Sequence, residues 1–151
     1  MSKKNDKTVI EQHLREALAD TYTLYLKTHS FHWNVEGPLF DSLHKLFEAQ
    51  YTDLWQAADE LAERLRAIGV YAPRNSAEMT ESTVLKEAGN KIPEGVDMCR
   101  TLAADHLTVS ARLKKAISIV QDAGDELTAD MFIARGQFHE KAAWMLNATS
   151  K

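Results

Sequence analysis

The stretch from residue 28 to residue 66 constrains this 151-residue chain more than any other part of it. Gly37-Pro38 divides the stretch, and this pair marks a turn between one helix that ends and another that begins. His32 lies five residues before Gly37, and His44 lies six residues after Pro38. Two helices folded back on each other at this turn would hold both imidazoles at a similar height. The sequence therefore predicts a helical hairpin with one histidine from each helix near the turn.

Three carboxylates follow on the second helix of this hairpin. His44 and Glu48 are four residues apart, as are Asp59 and Glu63, and residues at this spacing share a helix face. Eleven residues separate Glu48 from Asp59, which at about 100° per residue returns to within roughly 20° of the same face. At about 1.5 Å rise per residue, the two are still roughly 16 Å apart along the helix axis. One chain therefore cannot bring all four side chains to a single metal ion.

Two copies of the helix resolve this difficulty. The pairs His44/Glu63 and Glu48/Asp59 are both centred between residues 53 and 54. If two copies pack antiparallel about a two-fold axis at that point, His44 of one chain faces Glu63 of the other, and Glu48 faces Asp59. An isologous dimer makes each such contact twice. We therefore predict a homo-oligomer with composite metal sites, each with histidines from one chain and acids from its partner.

The donor set limits the chemistry of such a site. Imidazoles and carboxylates without a thiolate suit divalent iron or zinc, and only iron would give redox activity. An ordinary ferritin uses Glu-x-x-His motifs on paired helices within one bundle. No histidine of this chain has a glutamate three residues before it, which argues against a di-iron site within one subunit. A purely structural bundle, whose acids and histidines pair with one another, is the remaining alternative.

Composition and periodicity predict an all-α fold. Six glycines and three prolines are few, and 44% hydrophobic residues suffice for the core of one domain. Apolar residues at helical spacing predict main helices at about 8–34, 39–68, 93–123 (with Pro93 at the first helical position) and 125–147. Residues 69–92 form a long connection, in which 82–88 can form a short helix. This organisation predicts a ferritin-like four-helix bundle with a short extra helix between the second and third main helices.

The remaining sequence features concern compartment and the amino terminus. A lone cysteine, Cys99, and the absence of an apolar run of ~18 residues predict a cytoplasmic protein without a membrane partner. Residues 1–7 are predicted to form a flexible basic tail, and residues 8–151 the folded domain. The tail is either a solvated terminus or a DNA-contacting arm, and the net charge of −4 argues against DNA.

The segments FHWNVEGPLF, LHKLFEAQY and DELAER resemble the Dps family, the mini-ferritins that protect DNA in starved cells, and the likeness covers nearly the whole chain. Carried over residue by residue, the family's ferroxidase ligands fall on His32, His44, Asp59 and Glu63. A further metal-proximal carboxylate falls on Glu48, where many relatives have aspartate. The longer arm of Glu48 leaves open whether each site holds one metal ion or two.

The resemblance implies a function and an assembly. Dps proteins are hollow shells of twelve subunits that oxidise ferrous iron (Fe²⁺) between two-fold-related subunits, using hydrogen peroxide in preference to dioxygen. They store ferric iron (Fe³⁺) as mineral, so the resemblance implies a ferroxidase that uses iron and protects against oxidative damage. It also implies that the short extra helix lies in the two-fold interface. The alternative is a nucleoid protein that binds and compacts DNA, with secondary metal binding.

Four further residues have both a functional and a structural interpretation. Glu126 and Asp130 begin the fourth main helix, where they either compensate the helix dipole or, as the resemblance implies, line a three-fold pore that attracts ferrous ions. Trp33 and Trp55 either quench a radical oxidant near the metal or serve aromatic packing.

Several other side chains are predicted to serve packing only. We expect His29 to lie in the core or an interface, His106 to be structural or exposed, and His139 and Trp144 to pack in the core or on the surface. Cys99 is predicted to be a small core residue rather than a reactive thiol.

Overall fold

The computed structural model describes residues 3–151, which contain five helices and no strand. They are α1 (Lys3–Asn34), α2 (Phe40–Ala67), α3 (Ser76–Thr80), α4 (Gly95–Asp122) and α5 (Glu126–Thr149). The four long helices have the predicted order and nearly the predicted bounds, because apolar residues recur along each at helical spacing. Their apolar faces meet in one core, in which Phe47 of α2 and Phe132 of α5 are the largest fully buried side chains.

Ion pairs between helices fix the direction of α1 relative to α4. Lys27 Nζ donates to Asp105 Oδ2 at 2.6 Å, and Arg112 Nη1 donates to Asp20 Oδ2 at 2.9 Å. As residue numbers fall along α1 they rise along α4, so the two helices are antiparallel. Because α1 and α2 form a tight hairpin, α2 and α4 must run parallel. The long connection between α2 and α4 is therefore a crossover along the length of the bundle.

The same reasoning places α5. Arg64 Nη2 donates to Asp125 Oδ1 at 2.7 Å, and Arg135 Nη1 donates to Asp53 Oδ1 at 2.6 Å. Residue numbers again run in opposite directions, so α2 and α5 are antiparallel, and α4 and α5 form the second hairpin. Antiparallel neighbours with one long crossover are the ferritin-like four-helix bundle, and the predicted fold is confirmed.

Glycines in the left-handed region end α2 and α4. Gly69 has φ +78°, its N–H donates to Arg66 O at 2.9 Å, and the Val70 N–H donates to Leu65 O at 3.0 Å. These two bonds form a Schellman motif, which satisfies carbonyls that the helix leaves free. Gly124, with φ +81°, ends α4 in the same way.

The amino terminus differs from the prediction. Helix α1 begins at Lys3, five residues before the predicted start at residue 8, because residues 3–7 contain no helix-breaking residue. Lys7 Nζ donates to Gly69 O at 3.3 Å, so this side chain contacts the end of α2. Residues 1 and 2 of the predicted tail lie outside the described residues.

The short helix was predicted at the wrong place. It spans Ser76–Thr80, where Asn75 caps it by accepting the Glu78 N–H at 3.0 Å. Residues 82–88 are not helical. The buried Asp20 carboxylate accepts hydrogen bonds from Thr83 Oγ1 and the Val84 N–H, and these tertiary contacts hold that segment against α1.

The start of α4 also differs slightly. The helix begins at Gly95 with Glu94 as its N-cap, so Pro93 precedes the helix and does not occupy its first position. A Cβ atom on Gly95 would lie 2.7 Å from Leu43 Cδ1 and 3.5 Å from Val35 Cγ2. Gly95 therefore allows the start of α4 to approach α2 closely, next to the histidine hairpin.

Candidate metal centre

His32 and His44 lie together on either side of the turn between α1 and α2. Their rings stack with centroids 3.7 Å apart and planes 17° from parallel. His32 Nδ1 is 2.7 Å from His44 O, and His44 Nδ1 is 2.8 Å from His32 O. The predicted pairing of these two histidines across the hairpin is thus present, with a reciprocal hydrogen bond between each ring and the other residue's carbonyl.

These two bonds fix the chemistry of both rings. A carbonyl oxygen only accepts, so each Nδ1 carries the proton and donates it. In each neutral ring the Nε2 atom is then left with its lone pair. Metal-binding histidines use the second ring nitrogen in this way, since the bond sets both tautomer and ring orientation. The pair therefore presents two Nε2 atoms suited to a metal ion.

The three carboxylates are spread along α2, with only Glu48 one turn from His44. Glu48, Asp59 and Glu63 are exposed, and none makes a hydrogen bond or ion pair within the part of the chain that the structure describes. Over residues 3–151, no group of three or more histidine, cysteine, aspartate or glutamate side chains comes together to hold a metal ion. A single subunit thus brings together the two histidines and leaves the acids along α2.

The acids share one exposed stripe of α2, which we call the α2 stripe. Its members are three to four residues apart and all exposed: Glu48, Thr52, Trp55, Asp59 and Glu63. Residues at this spacing follow one face of a helix. Among the described residues, no other helix covers that face, so it is exposed to contact with a second molecule.

Aromatic rings from both α1 and α2 contact the histidine pair and its neighbour His29. Tyr51 stacks on His29 with centroids 3.8 Å apart and meets His32 edge-on at 5.1 Å. Burial raises the pKa of the Tyr51 phenol, and the negative charge of Glu48 raises it further. Glu48 lies about one helical turn from both His44 and Tyr51, so it is on the side of α2 that faces the histidine pair. Burial, with a smaller contribution from His32, lowers the pKa of His29.

The two tryptophans singled out by sequence are both 60% exposed. Trp33 contacts His29, with centroids 3.9 Å apart, and so lies one ring away from the histidine pair. Trp55 belongs to the α2 stripe. Trp144 lies on the surface, with 66% of its area exposed.

The acidic start of α5 is ordered by its N-cap. Asp125 accepts the Thr128 N–H at 3.0 Å and a bond from Arg64 Nη2 at 2.7 Å. Burial raises the pKa of Asp125, but these hydrogen bonds outweigh it and hold the pKa below its ordinary value. Glu126 and Asp130 are exposed on the first turns that follow. Over residues 3–151, neither belongs to a group of three or more side chains that could hold a metal ion.

Sequence reasoning missed a second histidine pair. His106 of α4 and His139 of α5 are fully buried, with their Nδ1 atoms 2.8 Å apart. His106 was predicted to be structural or exposed, and His139 to pack in the core or on the surface. Their contact joins residues of two helices and follows no local spacing. Cys99 is buried as predicted, and burial raises the pKa of its thiol to about 11.

No helix within residues 3–151 is long and apolar enough to span a lipid bilayer.

Several known proteins resemble this chain in both fold and sequence. A family model described as a ferritin-like domain matches residues 11–151. The DNA protection during starvation protein 2 of Bacillus anthracis is 38% identical over 144 residues, covering 95% of this chain and 97% of the relative. A Dps protein from Bacillus brevis superposes with a TM-score of 0.93 at 35% identity, covering 97% of this chain and 98% of that one.

A third relative carries a chemical description. Dps from Vibrio cholerae, described as a member of a broad superfamily of ferritin-like diiron-carboxylate proteins, superposes with a TM-score of 0.90 at 28% identity. It covers 97% of this chain and 92% of its own. The chain therefore belongs to the Dps family of ferritin-like proteins.

Proposed function

We propose that this protein oxidises ferrous iron at sites shared by two subunits and stores the ferric product in a hollow shell of twelve subunits. The observation that supports it most is the reciprocal hydrogen bonding of His32 and His44, which occupies both Nδ1 atoms and leaves both Nε2 atoms for a metal ion. Family membership adds the expectation of iron, since one relative is described as a diiron-carboxylate protein.

A partner subunit would complete the site. The α2 stripe is exposed, and its acids Glu48 and Asp59 mirror each other about residues 53 and 54, while Glu63 mirrors His44. Antiparallel contact of two such stripes would place Asp59 and Glu63 of the partner subunit beside His32, His44 and Glu48. Carboxylates there would neutralise the charge of ferrous iron and, more strongly, that of the ferric product.

The reaction needs little from the protein beyond this arrangement. Hydrogen peroxide and two protons accept two electrons and give two molecules of water. Two ferrous ions supply one electron each and become ferric. Few protein ligands leave open positions on each ion for the oxidant, and the imidazoles hold iron without becoming oxidised. Removing iron and peroxide together would protect DNA without any contact between protein and DNA.

The tryptophans and the pore residues have proposed roles in the same process. Trp33, one ring away from the histidine pair, and Trp55, on the α2 stripe, would donate an electron to a radical oxidant before it escapes. Glu126 and Asp130, exposed at the start of α5, would line a three-fold pore and attract ferrous ions.

DNA compaction remains the second candidate, because the Bacillus anthracis relative is named for DNA protection. The contact of Lys7 with the carbonyl of Gly69 and the net charge of −4 both weigh against it. Gel retardation of DNA at low salt would support compaction, and unretarded DNA at about 50 mM salt would exclude it.

Charge removal at Asp59 tests the ferroxidase proposal. Asp59→Asn preserves size and removes the carboxylate, so the rate of ferrous oxidation under peroxide should fall about tenfold or more. Glu60→Gln is the matched control, because Glu60 is the exposed neighbouring residue on α2, about 100° round the helix. Stopped-flow absorbance of ferric product measures both. Equal rates for Asp59→Asn and wild type would contradict the proposal.

A further inference from the structure

The buried pair His106–His139 has a defined protonation pattern. The Nδ1 atoms are 2.8 Å apart, and the ring centroids are 5.0 Å apart. Two ring nitrogens form a hydrogen bond only if one carries a proton and the other has a lone pair. Burial and the nearby Arg135 charge lower the pKa of His106 to about 3, and burial, with His106 and Arg135, lowers that of His139. Both rings are therefore neutral and in opposite tautomers.

Because the tautomers are opposite, one Nε2 atom can only accept a hydrogen bond and the other can only donate one. The ring that donates through Nδ1 has a lone pair on Nε2, and the ring that accepts has a proton on Nε2. Both Nε2 atoms are buried, and neither has a hydrogen-bond partner among the residues that the structure describes. Leaving a buried polar atom without a partner is destabilising, so such atoms in native proteins usually bind ordered water.

Arg135 and Gln50 also have buried polar atoms without a hydrogen-bond partner among the described residues. Arg135 precedes His139 by one turn of α5, is 9% exposed, and uses Nη1 to bind Asp53 at 2.6 Å. Its Nε and Nη2 atoms have no partner within the described chain. Gln50 precedes Asp53 by about one turn of α2, is 4% exposed, and neither atom of its amide group is bonded within the same range. Together, Gln50, His106, Arg135 and His139 leave six buried polar atoms unpaired across three helices.

The charges around these atoms select the ligand. A metal cation is disfavoured, because the guanidinium of Arg135 repels positive charge at both imidazoles. An anion is disfavoured, because the carboxylate of Asp53 already balances Arg135. The atoms include both donors and acceptors, so the ligand must be a small neutral molecule that both donates and accepts hydrogen bonds.

We propose that Gln50, His106, Arg135 and His139 form an internal water site between α2, α4 and α5. Water molecules there bind the two Nε2 atoms, the amide of Gln50, and Nε and Nη2 of Arg135. A protein of this size holds roughly five or six buried waters, at about one per 27 residues, each with about three hydrogen bonds. One imidazole donates to its water and the other accepts from its own, so the two histidines orient the water molecules in opposite senses.

A crystal structure of the intact wild-type shell tests the site directly, at a resolution that shows ordered water and with anomalous data. We expect a solvent peak at hydrogen-bond distance, about 2.6–3.2 Å, from the Nε2 atom of His106, of His139, or of both. Two outcomes would overturn the proposal. One is the absence of density at both Nε2 atoms. The other is a peak with anomalous signal at about 2.0–2.1 Å, which would mean a bound metal ion.

A substitution at Gln50 tests the extent of the site. Gln50→Leu has similar volume and no polar atoms, so the shell should fold and lose the water bound to the amide. Water at the histidines should remain. An unchanged solvent pattern in Gln50→Leu would remove Gln50 from the site and contradict its proposed span across three helices.

Discussion

His32 and His44 orient each other without help from other side chains. Metal-binding histidines commonly need a separate carboxylate or carbonyl partner to fix the ring. Here each histidine donates to the backbone carbonyl of the other, so the contacts that close the hairpin also set the orientation of both rings. Any change that moves α1 relative to α2 must therefore move both Nε2 atoms.

The buried pair His106–His139 gives a pH-dependent stability. The pKa of His106 is lowered from 6.5 to about 3, and that of His139 is also lowered. Below about pH 6.5 the unfolded chain therefore binds protons that the folded chain does not. The free energy of unfolding should fall as pH decreases from about 6.5 towards 3, by up to about 1.4 kcal/mol per pH unit for each imidazole.

The variant His106→Leu/His139→Leu isolates this effect, since it removes both imidazoles. Chemical denaturation across that pH range should give a shallower dependence for the double variant than for wild type. The same slope in both proteins would show that the buried pair does not cause it.

The two histidine pairs show which contacts could be predicted from the sequence and which could not. His32 and His44 flank a recognisable turn at matched distances, so their contact followed from helix geometry. His106 and His139 lie 33 residues apart on different helices, and neither has a ligand-type residue at helical spacing that would signal the other. Their pairing depends on the rotation of α4 against α5, which only packing determines.

The long helices were predictable because apolar spacing and stop signals agree along each of them. Gly69 and Gly124 end α2 and α4 where the sequence indicated. The errors lie where local preference and tertiary contact compete. Asn75 caps a short helix earlier than predicted, and Asp20 holds residues 82–88 in a non-helical conformation. Helix α1 extends to Lys3, since polar residues do not themselves stop a helix.

Two glycines allow a matched test of helix packing. In Gly95→Ala the new methyl would meet Leu43 Cδ1 at 2.7 Å, next to His44, so we expect a loss of about 1–3 kcal/mol in unfolding free energy. In Gly136→Ala, within α5, no described atom beyond the adjacent residues and the helix's own nearby backbone lies within 4 Å of the new methyl, so we expect a gain of about 0.5–1 kcal/mol. Urea denaturation compares them, and an unchanged or more stable Gly95→Ala would contradict the close approach of α4 to α2.

At the scale of the whole molecule, one chain holds the histidine pair near the start of α2 and carries Asp59 and Glu63 further along the exposed α2 stripe. We propose that each group is one half of a metal site. An antiparallel pair of subunits would turn these two halves into two sites. The predicted symmetry depends only on residue numbers along one straight helix, and it stays a prediction.

Complementation between two inactive variants tests the shared site most directly. His44→Ala removes a ligand from the histidine half, and Asp59→Asn removes one from the acidic half. Each variant alone should oxidise ferrous iron slowly under peroxide. When shells of the two are dissociated, mixed in equal amounts and reassembled, half of the subunit pairs contain both variants, and each such pair has one intact site of two.

The account predicts that the reassembled mixture regains about a quarter of the wild-type rate, because about one site in four draws both intact halves from different chains. A mixture that is not dissociated should stay slow, and size-exclusion chromatography should show intact shells throughout. A reassembled mixture as slow as its parents would contradict a site shared between subunits.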